Sequence, residues 1–327
     1  MSNRTRLLLL MEILKKYTDS NHQLSVQEIV ELFEEDYGLD VNSVGVKNDL
    51  KELEMVNTFA VIPYQEANGL PIYYSYQNRP FEVHELRLMI DAISSAKFIP
   101  KADTEKIIER LKKLTSIYLA EQLENRILLA DHSKSENNYV KYIISDLHDA
   151  ISTKSIVEFC YGRYNMNKQF VLSNQGNVYR VKPYALVWNH DYYYLIGEYI
   201  AKKEIRHYRI DRIYKNITQT HETFLPDSNF NITQYTEKLF HMYAGEETEI
   251  EMEFSASLIN VVIDRFGRKA DIRPVNDSTF KLFTKGIISE GLVRWTLTWG
   301  SDVKVLYPPR LVQMLKVEAE KLYKNYQ

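Results

Sequence analysis

The sequence predicts a multidomain protein of the α+β class, because three different patterns of apolar residues follow one another along its 327 residues. Residues 1–80 combine short helical patterns with two alternating stretches, and residues 81–138 read as a helical connector. Residues 139–222 contain many short alternating stretches separated by turn residues, which is typical of a small, strongly bent sheet. Residues 223–327 alternate helical and strand patterns. We therefore expect four segments with these boundaries.

Composition favours a soluble, cytoplasmic protein with packed cores. Apolar residues make up 45% of the chain, and its 24 tyrosines suit sheets with half-wet faces. Cys160 is the only cysteine, which excludes an internal disulfide. The longest apolar runs, such as Leu7–Met11, are too short to span a bilayer, and the N-terminus lacks a signal-peptide layout.

Charge is distributed unevenly along the chain. Residues 1–80 carry 7 Lys+Arg against 12 Asp+Glu, whereas residues 139–222 carry 12 against 8. The basic segment is therefore the middle one, and an anionic partner is expected there more than at the N-terminus.

Three helices are predicted before residue 56. The first covers residues 3–17, Ser25 caps the second, and Asn42 caps the third. Their inward positions are Leu7, Leu10, Met11 and Leu14; Ile29, Leu32 and Phe33; and Val46, Leu50 and Leu53.

A β-hairpin is predicted after these helices. Two alternating stretches, Phe59–Tyr64 and Ile72–Tyr76, are joined by a turn that contains Asn68 and Gly69. Three helices and a hairpin in this order predict a winged helix-turn-helix domain. The third helix (about Asn42–Met55) would enter a major groove while the hairpin near Asn68 touches the DNA backbone. A three-helix scaffold that binds nothing is the alternative.

Candidate DNA contacts follow from this hypothesis. Asn42, Ser43 and Asn48 could read base edges, because amides and hydroxyls donate and accept there. The basic residues expected on phosphates are Arg4, Arg6, Lys47 and Lys51, with Lys15, Lys16 and Arg79 as further candidates. Gly45 lies near the start of the third helix and should cost about 1 kcal/mol of helix stability relative to alanine.

The remaining elements are predicted in order. The connector holds helices over Phe81–Phe98 and from Asp103 to about Leu119, then a linker at His132–Asn138. A helix (Val140–Ser152) precedes six strands: Ile156–Cys160, Lys168–Ser173, Asn177–Lys182, Tyr184–Trp188, Asp191–Glu198 and Ile205–Ile210. After a helix at Ile232–His241, the order β-α-β-β-α-β and a closing helix from Pro309 predict a ferredoxin-like domain.

Enzyme signatures are absent from the sequence. No GxSxG, GxxxxGK[ST] or GxGxxG motif occurs, and no two of the eight histidines lie three or four residues apart. With a single cysteine, no structural zinc site is expected. We expect no catalytic activity, metal or cofactor.

Two aromatic and basic stretches stand out in the middle segment. Trp188–Gly197 is a hairpin whose alternation places Tyr192, Tyr194 and Ile196 on one face, with Tyr193 and Leu195 on the other. In Arg206–Ile213, His207, Arg209 and Asp211 share a face. Arginines beside tyrosines suit phosphates and stacked bases. The alternative is a surface ladder of salt bridges above a tyrosine-rich core.

These stretches resemble the two signature regions of the WYL-domain regulators. The family's naming triplet appears as Tyr193-Tyr194-Leu195, and residues 262–267 and 303–308 resemble its C-terminal extension, WCX. The resemblance implies an Sm/SH3-like small β-barrel and a dimeric transcription factor whose WYL domain senses a nucleotide or single-stranded nucleic acid. The effector residues it implies are Tyr193, Arg206, Arg209 and Arg212, with His190, His207 and Tyr194 as neighbours.

The N-terminal segment departs from the family. Relatives place basic residues, a threonine and an arginine where this chain has Ser43, Val44 and Asn48. The element order of residues 1–80 and the resemblance together still predict a homodimeric, ligand-responsive regulator that binds double-stranded DNA and no membrane. The alternative is a nucleotide or nucleic-acid sensor whose degenerate helix-turn-helix serves protein interaction or dimerisation.

Overall fold

The computed structural model describes residues 2–65, 71–123, 134–189, 191–225, 232–237 and 246–327. The chain divides into two compact units, Met1–Glu136 and Asn137–Gln327. Both units combine helices with antiparallel sheets, so the predicted α+β class is confirmed. Within the described ranges, no helix has the length and apolar character needed to cross a membrane.

The first unit begins with three helices and a small sheet. Its elements are α1 (Asn3–Tyr17), β1 (Leu24–Ser25), α2 (Val26–Tyr37), α3 (Ser43–Glu54), β2 (Val61–Gln65) and β3 (Ile72–Tyr76). The strands form an antiparallel sheet in the order β1-β3-β2. The helices and hairpin share one core, with Leu10, Phe33 and Leu50 completely buried. The predicted order of three helices and a hairpin is therefore observed.

Local signals account for the ends of these helices. Ser25 and Glu28 form a capping box at the start of α2, each side chain bonded to the other residue's backbone N–H. Gly38 ends α2 in the left-handed region at φ 64°, which glycine adopts without a Cβ clash. Asn42 accepts from the Val44 amide and begins α3.

The connector contains α4 (Val83–Ser95), α5 (Lys101–Lys112) and α6 (Ile117–Gln122). The prediction of a single helix from Asp103 or Thr104 to about Leu119 is wrong, because α5 ends at Lys112 and α6 starts at Ile117. The Ser116 hydroxyl caps α6 by accepting from Leu119 and also donates to the buried carboxylate of Asp19. Tertiary contacts thus favour a second helix start where periodicity alone predicts continuation.

The described part of the predicted linker at His132–Asn138 contains the boundary between the two units, and its first residues are hydrogen-bonded to the first unit. The Lys134 ammonium donates to the carbonyls of Ile93 and Ala96, and the Ser135 amide donates to the Lys97 carbonyl. These residues are tied to the end of α4, and the boundary between the two units falls after Glu136.

The second unit opens with a helix and a bent sheet. Its first elements are α7 (Val140–Thr153), β4 (Ser155–Tyr164), β5 (Phe170–Leu172), β6 (Tyr179–Asn189), β7 (Tyr192–Tyr199), β8 (Glu204–Arg209) and β9 (Ile213–Thr223). The strands follow the order β5-β4-β6-β7-β8, and β9 also pairs with β4. Two sequence predictions fail here. The strands expected on either side of Pro183 are one strand with a register shift, and β9 was missed.

A second sheet follows in the same unit. Its elements are α8 (Ile232–Glu237), β10 (Glu246–Ser255), α9 (Ile259–Phe266), β11 (Asp271–Pro274), β12 (Thr279–Ile288), α10 (Glu290–Thr298), β13 (Val303–Tyr307) and α11 (Pro309–Asn325). The strand order is β11-β12-β10-β13, and the predicted β-α-β-β-α-β sequence of elements is observed. Met252, Phe254 and Leu282 are buried beneath Val262, Leu292 and Leu311 of the helices.

Gly162 in β4 gives the first testable expectation. A Cβ at this position would lie 2.5 Å from the Phe170 ring and 2.8 Å from the Val171 carbonyl oxygen. Because the backbone oxygen cannot move without breaking the β4–β5 pairing, Gly162→Ala should destabilise the chain by about 1–3 kcal/mol. Urea unfolding measures this change. Unaltered stability would mean that the Phe170 ring does not lie over Gly162.

Candidate effector site and candidate DNA interface

The hairpin of β7 and β8 carries most of the predicted effector residues, and its register separates them. Tyr194 lies opposite Arg209, Ile196 opposite His207, and Gly197 opposite Arg206. Since directly opposed residues share a face, Tyr194, His207 and Arg209 lie on one face and Arg206 on the other. Gly197 is required here, because a Cβ would lie 2.6 Å from the Lys182 carbonyl oxygen of β6.

Arg209 is held by neighbours from its own region of the sheet. Its Nε and Nη2 donate to the two Asp211 carboxylate oxygens at 3.1 and 2.7 Å, and its Cζ lies 3.3 Å from the Tyr192 ring centre. Burial would lower the pKa of this guanidinium, but Asp211 outweighs it and holds that pKa above its ordinary value. Arg209 is therefore a charged but internally neutralised group.

Arg212 differs from Arg209 in its surroundings. It ends the single 3-10 turn between β8 and β9 and is half-buried, and its side chain makes no hydrogen bond or ion pair with any described residue. Its charge acts on the Tyr161 and Tyr194 hydroxyls, whose pKa values are raised mainly by burial. The structure thus brings Tyr194, Arg209 and Arg212 together, with Arg212 as the cation available to an anion.

Arg206, which the resemblance also places among the effector residues, does not join this group. Its Nη2 donates to Glu204 at 2.8 Å, and its Cζ lies 4.5 Å from the Tyr199 ring centre. It lies on the face of Tyr208, whose pKa is raised by burial among the interior aromatic rings. Arg206 therefore lies beside the aromatic interior of the sheet.

The remaining predicted effector residues have other neighbours. His207 Nε2 lies 3.1 Å from the Tyr235 hydroxyl of α8, and burial raises the pKa of that tyrosine to about 12. Tyr193 packs against Trp188 with ring centres 5.8 Å apart. His190 lies outside the described residues. His207 thus connects the sheet to the start of the C-terminal segment.

Three residues that complete the site were not among the effector residues predicted from the sequence. Asp211 binds Arg209, Tyr192 lies under its guanidinium, and the Tyr161 hydroxyl accepts from the Arg209 backbone amide. Asp211 and Tyr192 had a signal, since each lies two positions from a predicted residue and alternation places it on the same face. Tyr161 had none, because β4 is distant in sequence.

In the first unit, α3 exposes the predicted DNA contacts along one face. Ser43, Lys47, Asn48 and Lys51 are exposed, whereas Val46, Leu50 and Leu53 are buried. Lys47 and Lys51 lie one helical turn apart, and neither forms an ion pair with a described residue. They also line a groove of about 550 Å³ with Glu28 and Glu31 of α2 and the start of β3.

Arg6, which the sequence predicts as a phosphate contact, is paired with a carboxylate inside the first unit. Its Nε and Nη2 donate to the Asp49 carboxylate at 2.7 and 3.0 Å, with side-chain exposures of 16% and 8%. Hydrogen bonding to Asp49 raises the pKa of the guanidinium. Gly45 explains how this pair fits, because a Cβ there would lie 2.8 Å from Arg6 Cζ.

The other N-terminal candidates are less constrained. Arg4 is exposed, and Asn42 is exposed although its side-chain oxygen is engaged in the helix cap. The predicted hairpin tip with Asn68 lies outside the described residues. Among the residues that are described, no group of three or more metal-ligating side chains converges.

Comparisons with known proteins bear on the second unit. Residues 142–218 match the WYL domain and residues 246–323 match the WCX domain. No curated protein matches the sequence.

Two solved structures are similar over most of the chain. Proteasome accessory factor B/C (PafBC) of Arthrobacter aurescens is 16% identical with a TM-score of 0.29, covering 95% of this chain and 46% of that chain. The chain thus spans about half the length of that protein. The crystal structure of a CRISPR Cas-related protein is 12% identical with a TM-score of 0.38, covering 93% of both chains. The two domain matches confirm the resemblance seen in the sequence. The chain therefore contains a WYL domain followed by a WCX domain, the two domains that the sequence resemblance predicts.

Proposed function

We propose that this chain is a ligand-responsive transcriptional regulator that binds double-stranded DNA through α3. The observation that supports it best is the exposed face of α3, where Lys47 and Lys51 lie one turn apart without a carboxylate partner. A helix that follows two others and precedes a hairpin is the element that enters the major groove in winged helix-turn-helix proteins. Unpaired lysines on that face suit phosphates, and the exposed Asn48 suits a base edge.

The effector in this proposal is a nucleotide or single-stranded nucleic acid bound by the WYL domain. Arg212 is the arginine of the site without an ion pair, and the Tyr194 hydroxyl lies within reach of its charge. An anionic group would be attracted to Arg212, while Arg209 and Asp211 stay paired and hold the tyrosines in place. Such a ligand changes DNA binding only if it binds two states with different affinity.

The proposed architecture assigns a role to each segment. Residues 1–80 form the winged helix-turn-helix domain, 81–138 the connector, 139–222 the Sm-like effector domain and 223–327 a ferredoxin-like domain. A homodimer would present two copies of α3 to two half-sites, and a chromosomal target would place the protein in the cytoplasm. This regulator would have no catalytic step.

A fluorescence-anisotropy titration of the full-length chain with duplex DNA from its own upstream region tests the proposal. We expect sequence-dependent binding that weakens with salt, with a log–log slope of about −0.9 for each phosphate contacted. Addition of nucleotides or short single strands should shift the affinity. A chain that distinguishes no duplex sequence, with or without these ligands, would contradict the proposal.

One observation favours a second candidate function, a sensor whose N-terminal domain binds protein instead of DNA. Glu28 and Glu31 line the same groove as Lys47 and Lys51, and residues 1–80 carry an excess of acidic side chains. A groove of mixed charge would repel a phosphate backbone more than a basic one does. Charge reversal on α3 separates the two candidates.

A further inference from the structure

The net positive charge of the middle segment, residues 139–222, is not carried by Arg206 or Arg209 of its candidate effector stretch. Residues 139–222 hold 12 Lys+Arg against 8 Asp+Glu. Yet Arg206 is paired with Glu204, Arg209 with Asp211, and Lys182 with Glu198. The excess must therefore be carried by other cations of this segment.

Three of those other cations lie at or beside the ends of β4, β5 and β9. Arg163, Lys168 and Lys215 are exposed, and none of them forms an ion pair or a side-chain hydrogen bond with a described residue. Lys168 belongs to the turn between β4 and β5, and Lys215 follows the start of β9. Lys215 Nζ lies 5.2 Å from the Tyr214 ring centre.

Three aromatic rings form a row on one face of this part of the sheet, whereas Arg163, which is paired with Val171, lies on the opposite face. Tyr164 and Phe170 are cross-strand partners with ring centres 5.4 Å apart, and Phe170 stacks on Tyr214 at 6.1 Å with an interplanar angle of 19°. Gly162 makes the row possible, because any side chain at that position would collide with the Phe170 ring. We call Tyr164, Phe170 and Tyr214 the aromatic row.

The aromatic row is not part of the domain core. Tyr164 is 60% exposed and Tyr214 is 43% exposed, whereas Phe159, Tyr179 and Tyr208 of the interior are all below 10%. The exposed parts of the Tyr164 and Tyr214 rings are apolar surface that a flat ring can cover, and covering this surface is favourable. Their exposure beside unpaired cations therefore calls for a ligand with both flat rings and negative charge.

We propose that the aromatic row is a second ligand surface, on which the unpaired bases of a single-stranded nucleic acid stack. Base–aromatic stacking tolerates any sequence, and lysines beside the rings reach the phosphates that flank each base. A duplex cannot use the row, because its bases are already stacked and paired. The row shares no residue with the candidate effector site, and it requires no DNA binding by α3.

The test is a titration of a labelled oligothymidylate of about 12 nucleotides, within the length that one small β-barrel covers, with the full-length chain. Tyr164→Ala and Tyr214→Ala should each weaken binding about 10-fold, since each removes one stacking face. Tyr164→Phe keeps the ring and should stay within about twofold of the unmodified chain. Val171→Ala, an exposed change on the opposite face of β5, is the matched control.

The charge component has its own pair of variants. Lys168→Glu with Lys215→Glu should weaken oligothymidylate binding and flatten its salt dependence. Lys202→Glu with Lys203→Glu makes the same change in net charge on another exposed turn and should have little effect. Urea unfolding of every variant identifies any that does not fold. If an alanine variant does not fold, the comparison of the two lysine pairs still shows whether the charges beside the aromatic row contribute to oligothymidylate binding.

Three results would overturn the proposal. The first is unchanged binding when Tyr164 and Tyr214 are alanine. The second is loss of binding only on Arg212→Ala, which would place the strand in the candidate effector site. The third is an unmodified chain that does not bind oligothymidylate, for example because the row binds a protein instead. Duplex binding by α3 is measured separately, so failure of one proposal is distinguishable from failure of the other.

Discussion

Duplex binding should be lost when Lys47 and Lys51 are both replaced by glutamate. The two side chains project from one exposed face of α3 and make no ion pair with a described residue, so their charge is available to phosphates. Reversal removes two attractive contacts and adds two repulsive ones, and the winged domain is already acidic. We expect affinity to fall by about 100-fold or more at moderate salt, together with a shallower salt slope.

The matched control for this variant is Lys202→Glu with Lys203→Glu, which changes net charge equally on the second unit. Anisotropy titrations at two salt concentrations measure both variants. If the α3 variant binds duplex DNA as the unmodified chain does, the helix is not the reading element. The second candidate function, in which the N-terminal domain binds a protein partner, would then be favoured.

Loss of either partner of the Arg6–Asp49 pair should destabilise the N-terminal domain. The guanidinium makes two hydrogen bonds to a carboxylate that is only 8% exposed, and it joins α1 to α3. Asp49→Ala leaves a mostly buried cation without its acceptor, and Arg6→Ala leaves a buried anion. We expect about 2–3 kcal/mol for each single change, below the cost of a fully buried pair because Arg6 keeps some solvent contact.

A double-mutant cycle in urea measures this interaction. The Arg6→Ala, Asp49→Ala double variant should be less destabilised than the sum of the singles, because the second change removes the unpaired charge that the first creates. Arg4→Ala is the control, since this exposed arginine lies two positions before Arg6 on α1 and its side chain has no described partner. Additive single effects, or an equal effect of Arg4→Ala, would show that the pair contributes no specific stability.

The Arg6–Asp49 pair also shows where reasoning from the sequence was incomplete. Arg6 was expected on a phosphate because it is a basic residue of a DNA-binding pattern, and Gly45 was expected only to weaken α3. Residues 6, 45 and 49 meet because α1 crosses α3, and a side chain at position 45 would occupy the space of the guanidinium. Nothing local to either helix carries that information.

The middle segment shows the same division. Alternation correctly separated the two faces of β7, since side chains point to opposite sides of a strand whatever surrounds them. It could not tell that Glu204 neutralises Arg206 and that Asp211 neutralises Arg209. It also missed β9, whose residues become a strand through pairing with β4.

By itself the sequence determined the order of most elements, most helix starts, the α+β class and the resemblance to the WYL-domain regulators. These depend on local spacing, caps and turn residues, which act within a few positions of the chain. Only the tertiary structure decided which charges are neutralised, which tyrosines are buried, and which cations remain for a ligand. Ion pairs such as Arg6–Asp49 and the aromatic row of Tyr164, Phe170 and Tyr214 join residues from different elements, and their proximity depends on how those elements pack.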